Sequence, residues 1–359
     1  MSAARVERLR AAIAAEALDA LIVAGAANLR YLTGYTGSSG LALVGARGDA
    51  RFFTDFRYAS AAADQIVEPF EVEIASGELL EALARGLEGG RVGFDDTTTS
   101  VRRRERLGEV APSSVELVAA AGLPERLRAV KDADEIRAIA ASAALTDGIY
   151  EWLCERGFAG RTERAVAIAL EHEMRLRGAS DPSFTSIVAS GAQGALPHAW
   201  QRDVAIERGT LVTVDIGAIV DGYCSDCTRT FAVGEPADRA REVYEVVAAA
   251  QLAGLAAVAP GTSGRDADAQ ARAVIDAAGY GERFGHGLGH GVGLEIHEAP
   301  RLSFTGGEAL LEAGNVVTVE PGVYLPGELG VRIEDLVVVR DGAPAEILSR
   351  FTKELLVVD

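Results

Sequence analysis

Residues 207–218 read ERGTLVTVDIGA, and 105 positions later residues 312–323 read EAGNVVTVEPGV. Six of the twelve aligned positions are identical, and where Asp215 gives way to Glu320 the carboxylate survives. This is an internal repeat. Each copy has a turn at Gly209 or Gly314, a β-branched run suited to a strand buried on both faces, an acid, and then Gly217 or Gly322.

Around this repeat the chain of 359 residues is long enough for two domains. Residues 1–125 alternate helix and strand patterns: RVERLRAAIAAEALD is helical, ALIVAG and LALVG are strands, and ARFFTDFRY is a strand leading into a helix. From residue 126 to 359 the pattern falls into two related halves. The first opens on two amphipathic helices separated by Gly157 to Gly160, and TERAVAIALEHEMRLRG and RDADAQARAVIDAAGYG are the second helix of each half. No apolar run approaches a membrane span, the amphipathic start has no signal-peptide core, and three cysteines give no disulfide framework. A cytoplasmic protein is expected, and its formal charge of −18 argues against nucleic-acid partners.

After Asp215 the chain continues IGAIVDGYCSDCTRT, and Asp221-Gly222 is a strong two-residue hairpin signal. That loop sets Val220 opposite Tyr223 and Asp215 opposite Thr228, so Asp226 shares a sheet face with Asp215 as its diagonal neighbour. Two carboxylates there repel one another unless a cation lies between them. In the second copy, a loop around Pro326 and Gly327 puts Glu334 across from Glu320. Between the hairpins, FGHGLGHGVGLEIHE carries glycines at 285, 287, 289, 291 and 293, which exclude a stable helix and leave a strand with one bare face. His286 and His290 then point the same way, whereas His297 reaches the site only through a bend.

Four carboxylates and an imidazole make an oxygen-rich set suited to Mn²⁺ foremost, with Co²⁺ or Zn²⁺ as alternatives. One divalent ion leaves about two negative charges uncompensated, whereas two balance them, so a dinuclear centre is expected. Such a pair activates water and polarises a carbonyl, the equipment for amide hydrolysis. CSDC, with Cys224 and Cys227 on opposite faces, has no second cysteine pair, and GHGLGHGVG lacks the Lys-Ser/Thr of a phosphate loop. Arg57 and Tyr58 are read as structural.

VDIGAIVDGYCSDCTRT, GHGLGHGVGLEIHE, TVEPGVY and GVRIEDLVVV, in this order, resemble the pita-bread metallopeptidases, specifically the Xaa-Pro peptidases aminopeptidase P and prolidase; YLTGYTGSSG and TDFRY resemble their creatinase-like N-terminal domain. The resemblance implies an α+β fold, with a creatinase-like α/β domain over 1–125 before a pita-bread catalytic domain over 126–359. It implies Asp215, Asp226, His290, Glu320 and Glu334 as metal ligands, Glu320 as general base, and His198, His286 and His297 as histidines that orient substrate and stabilise the tetrahedral intermediate. Arg332 matches a supporting arginine at the substrate site. Gln193, where an Asn is common, and Trp200 depart from the pattern. The implied activity is removal of the first residue from short peptides with proline second. Aminopeptidase P is favoured, prolidase is the alternative, and an inactive binding module is a third reading. A homodimer is expected.

Overall fold

The computed structural model describes residues 2–48 and 50–359. The chain divides between Arg128 and Ala129 into two compact units. In the first, a six-stranded sheet runs in the order Phe70–Ala75, Ala50–Asp55, Leu41–Gly45, Ala20–Val23, Gly90–Phe94, Val115–Ala119. Its strands Leu41–Gly45, with burial on both faces, and Ala20–Val23 are the short apolar runs the composition marks. Arg57 and Tyr58 have local partners: Arg57 donates two hydrogen bonds to Asp55, and the Tyr58 hydroxyl meets that of Ser38 at 2.6 Å.

The second unit repeats a motif of two helices and acid-bearing strands. Ala133–Arg156 and Glu163–Leu176 belong to the first half, Asp238–Ala257 and Gly264–Ala277 to the second. Each half has its own core. Ile149, Leu170, Val212 and Phe231 pack in one, while Val243, Ile275, Val317 and Val337 pack in the other. Burial of these apolar side chains at about 1.5–3 kcal/mol each fixes which faces of the helices and strands turn inward.

The first of the two amphipathic helices expected at the start of the second region, the one before Gly157, is instead broken into Leu123–Ala129 and Ala133–Arg156. Asp132 ends the continuity. Its carboxylate caps the second helix in a reciprocal box with Glu135, while Val130 bridges to Asn315 and the Lys131 amide donates to the Gly314 carbonyl. Among the described residues, no helix is long and apolar enough to cross a membrane.

The hairpin registers follow the turn chemistry. Val220 pairs with Tyr223, and Thr228 with Asp215. In the second copy, Tyr324 pairs with Gly330 and Gly322 with Arg332, and the same running register resumes with Val319 opposite Asp335. Glu320 and Glu334 therefore face one another in the interval between the two ladders. Among the described residues neither Cys224 nor Cys227 is in a disulfide, and the two are buried in different cores, as alternation along a strand requires.

Candidate active site

Asp226 stands opposite Gly217, in the interval between the Ile219–Cys224 and Ile216–Cys227 pairs. A Cβ on Gly217 would lie 2.0 Å from the Ser225 carbonyl oxygen, so only glycine admits this approach. The Ser225 hydroxyl accepts from the Ala218 amide at 3.0 Å and contacts the buried hydroxyls of Ser142 and Thr146. These contacts hold Asp226 beside Asp215. The second hairpin docks alongside: the Glu334 amide donates to the Thr228 carbonyl at 3.1 Å, and the Thr228 hydroxyl donates to the Glu334 carboxylate at 2.8 Å.

As a result, ligand oxygens of Asp215, Asp226 and Glu334 lie within 4.8 Å of one another. Burial, reinforced by the neighbouring carboxylates, drives the Asp226 and Glu334 carboxyls well above the ordinary range. Burial also pushes Glu320 up to about 7, with Asp215 adding to the shift and Arg332 opposing it. Asp215 Oδ1 and Glu334 Oε1 are buried acceptors with no donor among the described residues.

His290 completes this set. Its Nδ1 lies 3.1 Å from the Gly291 carbonyl, which can only accept, so Nδ1 carries the proton and Nε2 presents a lone pair. That lone pair faces the carboxylate oxygens of Glu320 at 3.4 Å and Asp226 at 3.6 Å. Acceptors converging on acceptors in a buried site require protons or cations between them. Five donors of oxygen and imidazole type fit hard or borderline divalent cations.

The glycines beside His290 serve strand packing. A Cβ on Gly289 would lie 2.0 Å from the Thr318 carbonyl oxygen, and one on Gly291 2.2 Å from that of Ala299. The regular strand is confined to Gly289–Gly291, shorter than the 285–293 run. A register shift between His290 and Gly291 against the Glu298–Leu302 strand supplies the bend, and His297 returns with its ring centroid 4.3 Å from that of His290.

Around the acids lies a cavity of about 480 Å³, lined by His198, His286, His290 and His297 together with Phe184 and Trp200. His286 donates from Nδ1 to the Gly287 carbonyl and accepts at Nε2 from the Tyr324 hydroxyl, each at 2.8 Å. Burial and the Arg332 charge hold its pKa down to about 4, so it is neutral at pH 7. Burial also lowers His297, with the neighbouring His290 and Arg301 adding to the effect. Arg332 is buried with its donors engaged: Nε to Thr228, Nη1 to Tyr324 and to the Pro197 carbonyl, Nη2 to Asp215.

Tyr324 and Arg301 are among the residues of the cavity region that went unmarked in the sequence. Arg301 lines the cavity directly opposite His290 in the strand pair, hence on the same sheet face. Among the described residues, it has no carboxylate partner within salt-bridge distance. Only the register across the bulge reveals its placement.

Residues 133–341 match Metallopeptidase family M24, and residues 5–130 match the Creatinase/Prolidase N-terminal domain. The chain belongs to metallopeptidase family M24. Its fold is the creatinase-type N-terminal domain followed by the family's pita-bread domain. Within the family, the chain is 42% identical to an uncharacterized peptidase of Bacillus subtilis, YqhT, over 99% of this chain and 100% of the relative. It is 44% identical to a Xaa-Pro dipeptidase of Pyrococcus furiosus over 64% of this chain and 66% of the relative. A solved Xaa-Pro dipeptidase from Bacillus anthracis matches with a TM-score of 0.96 at 39% identity, covering 100% of both chains. These M24 relatives favour the dipeptidase alternative over the aminopeptidase P reading.

Proposed function

We propose that this M24 peptidase is a metal-dependent Xaa-Pro dipeptidase, and that Arg301 reads the free carboxylate of the proline. The observation that carries this reading is the guanidinium on the His290 face of the cavity, without an acidic partner among the described residues. A guanidinium suits a carboxylate in bidentate geometry, and a dipeptide is the Xaa-Pro substrate whose carboxylate sits next to the scissile bond. Arg332, four of whose five N–H groups are already bonded, instead holds Asp215 in place.

Asp215, Asp226, His290, Glu320 and Glu334 would hold two divalent cations, Mn²⁺ foremost given the four carboxylates. When bound, these supply Lewis acidity and an activated water. Thr318 donates to Glu320 Oε1 at 3.1 Å, leaving Oε2 to take the proton from the attacking water and return it to the proline nitrogen as the C–N bond breaks. His297, neutral at pH 7, donates a hydrogen bond to the carbonyl oxygen as charge develops there. His198 lines the same cavity and orients the peptide. His286 fixes the Tyr324 hydroxyl, which in turn receives Arg332.

The test replaces Arg301 with Met. KM for a Xaa-Pro dipeptide is expected to rise about tenfold or more, the scale of a lost charge-assisted hydrogen bond, while hydrolysis of the C-terminally amidated dipeptide stays within about twofold. Equal effects on both substrates would remove Arg301 from carboxylate recognition.

A further inference from the structure

His286 is carried by a segment with no regular structure. Residues 284–288 contain two glycines and lie outside the adjoining strand, so their backbone groups need partners from elsewhere. An ion pair one turn apart on the Gly264–Ala277 helix provides them. Arg272 donates from Nε and Nη2 to the Asp268 carboxylate at 2.8 and 2.9 Å. The same guanidinium donates from Nη1 to the Phe284 carbonyl at 2.7 Å and from Nη2 to the His286 carbonyl at 2.8 Å. Asp268, 1% exposed, also accepts from the Leu288 amide at 2.9 Å. One pair of side chains thus grips residues 284, 286 and 288, on both sides of the imidazole.

The guanidinium is itself held in orientation. It lies 4.2 Å from the ring centroid of Phe284 and 4.5 Å from that of Phe304. Arginine's planar fork meets these demands together: a bidentate carboxylate, two carbonyls and two aromatic faces. A lysine keeps the charge beside buried Asp268 but cannot occupy all these positions.

We propose that Arg272 is a positioning residue for His286. The Asp268–Arg272 pair sets the backbone from which the imidazole reaches the Tyr324 hydroxyl, and through Tyr324 and Arg332 it orders Asp215. The pair acts on the catalytic cavity from outside it, through the irregular segment. This inference rests on the reading that His286 serves hydrolysis.

The experiment is a double-mutant cycle of Arg272→Lys with His286→Ala, reading kcat, KM and metal content on the metal-loaded enzyme. Arg272→Lys is expected to lower kcat about tenfold, with KM and metal stoichiometry changed by less than about twofold; in the His286→Ala background it should lower kcat no further than about twofold. Unchanged kcat in Arg272→Lys, or the same loss in both backgrounds, overturns the positioning role while leaving the reading of His286 intact. Full activity in His286→Ala overturns that reading, and the inference with it. Phe304 is partly exposed, so Phe304→Leu provides a second variant that relaxes one side of the guanidinium stack without uncovering Asp268. It should show a smaller kcat loss that likewise disappears in the His286→Ala background, and a loss persisting there counts against the proposal.

Discussion

Arg332 donates to Asp215 across the two copies of the internal repeat, with Nη2 and Oδ2 2.7 Å apart. The residue just before Ile333 and Glu334 in one hairpin thereby orients the first acid of the other. Burial makes this pair expensive to break from one side, by about 3–5 kcal/mol, because a charge is left uncompensated. Arg332→Met should lower the melting temperature of metal-free protein more than that of metal-loaded protein, since bound cations take over the charge balance at Asp215. Equal losses in both states, read by calorimetry, would contradict this account of Arg332.

Asp226 and Glu334 lie beside each other among groups that all accept. Asp226→Ala and Glu334→Ala should each bring metal content below two ions per chain and reduce turnover by orders of magnitude. Glu320→Gln should harm turnover more than metal content, since an amide keeps a ligand oxygen but cannot take a proton. Elemental analysis beside kinetics separates the two patterns, and full occupancy with full activity in Asp226→Ala would refute its place among the ligands.

The pKa of Glu320 sets a pH dependence for the metal-free protein. Its carboxyl holds a proton up to about 7 in the fold, against an ordinary 4.5, so the folded state binds the proton more tightly than the unfolded chain. The resulting stability, about 3 kcal/mol, is fully present below pH 4.5 and is lost as pH rises through 7. Asp226 and Glu334 shift in the same direction. His286, held down to about 4, works oppositely between pH 4 and 6.5 and is silent above that range. Thermal unfolding should therefore show metal-free stability falling above pH 6.5, with the gain from added Mn²⁺ widening from pH 5 to 8 as cations replace protons. A gain that shrinks over that range would contradict the prediction.

His297 reaches the cavity by the bend after the bulge and contacts the His290 ring. His297→Ala should reduce kcat by about two to three orders of magnitude, the scale of a lost oxyanion donor, while metal content is kept. Unchanged kcat with normal metal content would place its ring outside the reaction.

The acid hairpins were legible because turn chemistry fixes register, and register fixes which side chains share a face. Asp221-Gly222 placed Asp215 against Thr228, and the turn at Pro326 and Gly327 placed Glu320 toward Glu334. Arg301 was not legible. Its register against His290 depends on the shift beyond that residue, which no local residue preference announces. The break before Ala133 was hidden for a related reason: Asp132 reads as an ordinary helical acid until the Val130 bridge to Asn315 shows that the chain has left the helix. The Asp268–Arg272 clamp looks in sequence like an exposed helix pair four residues apart, and only packing shows that its partners are the carbonyls around His286.

On the proposed reading, a metal-loaded cavity with Arg301 in its lining hydrolyses free Xaa-Pro dipeptides. The most direct test compares kcat/KM for a Xaa-Pro dipeptide with that for the tripeptide extended after proline, on enzyme of measured metal content and again after chelation. At least about a tenfold preference for the dipeptide is expected, lost on chelation and restored by Mn²⁺. Equal or better cleavage of the tripeptide, or full activity in protein free of divalent metal, would contradict it.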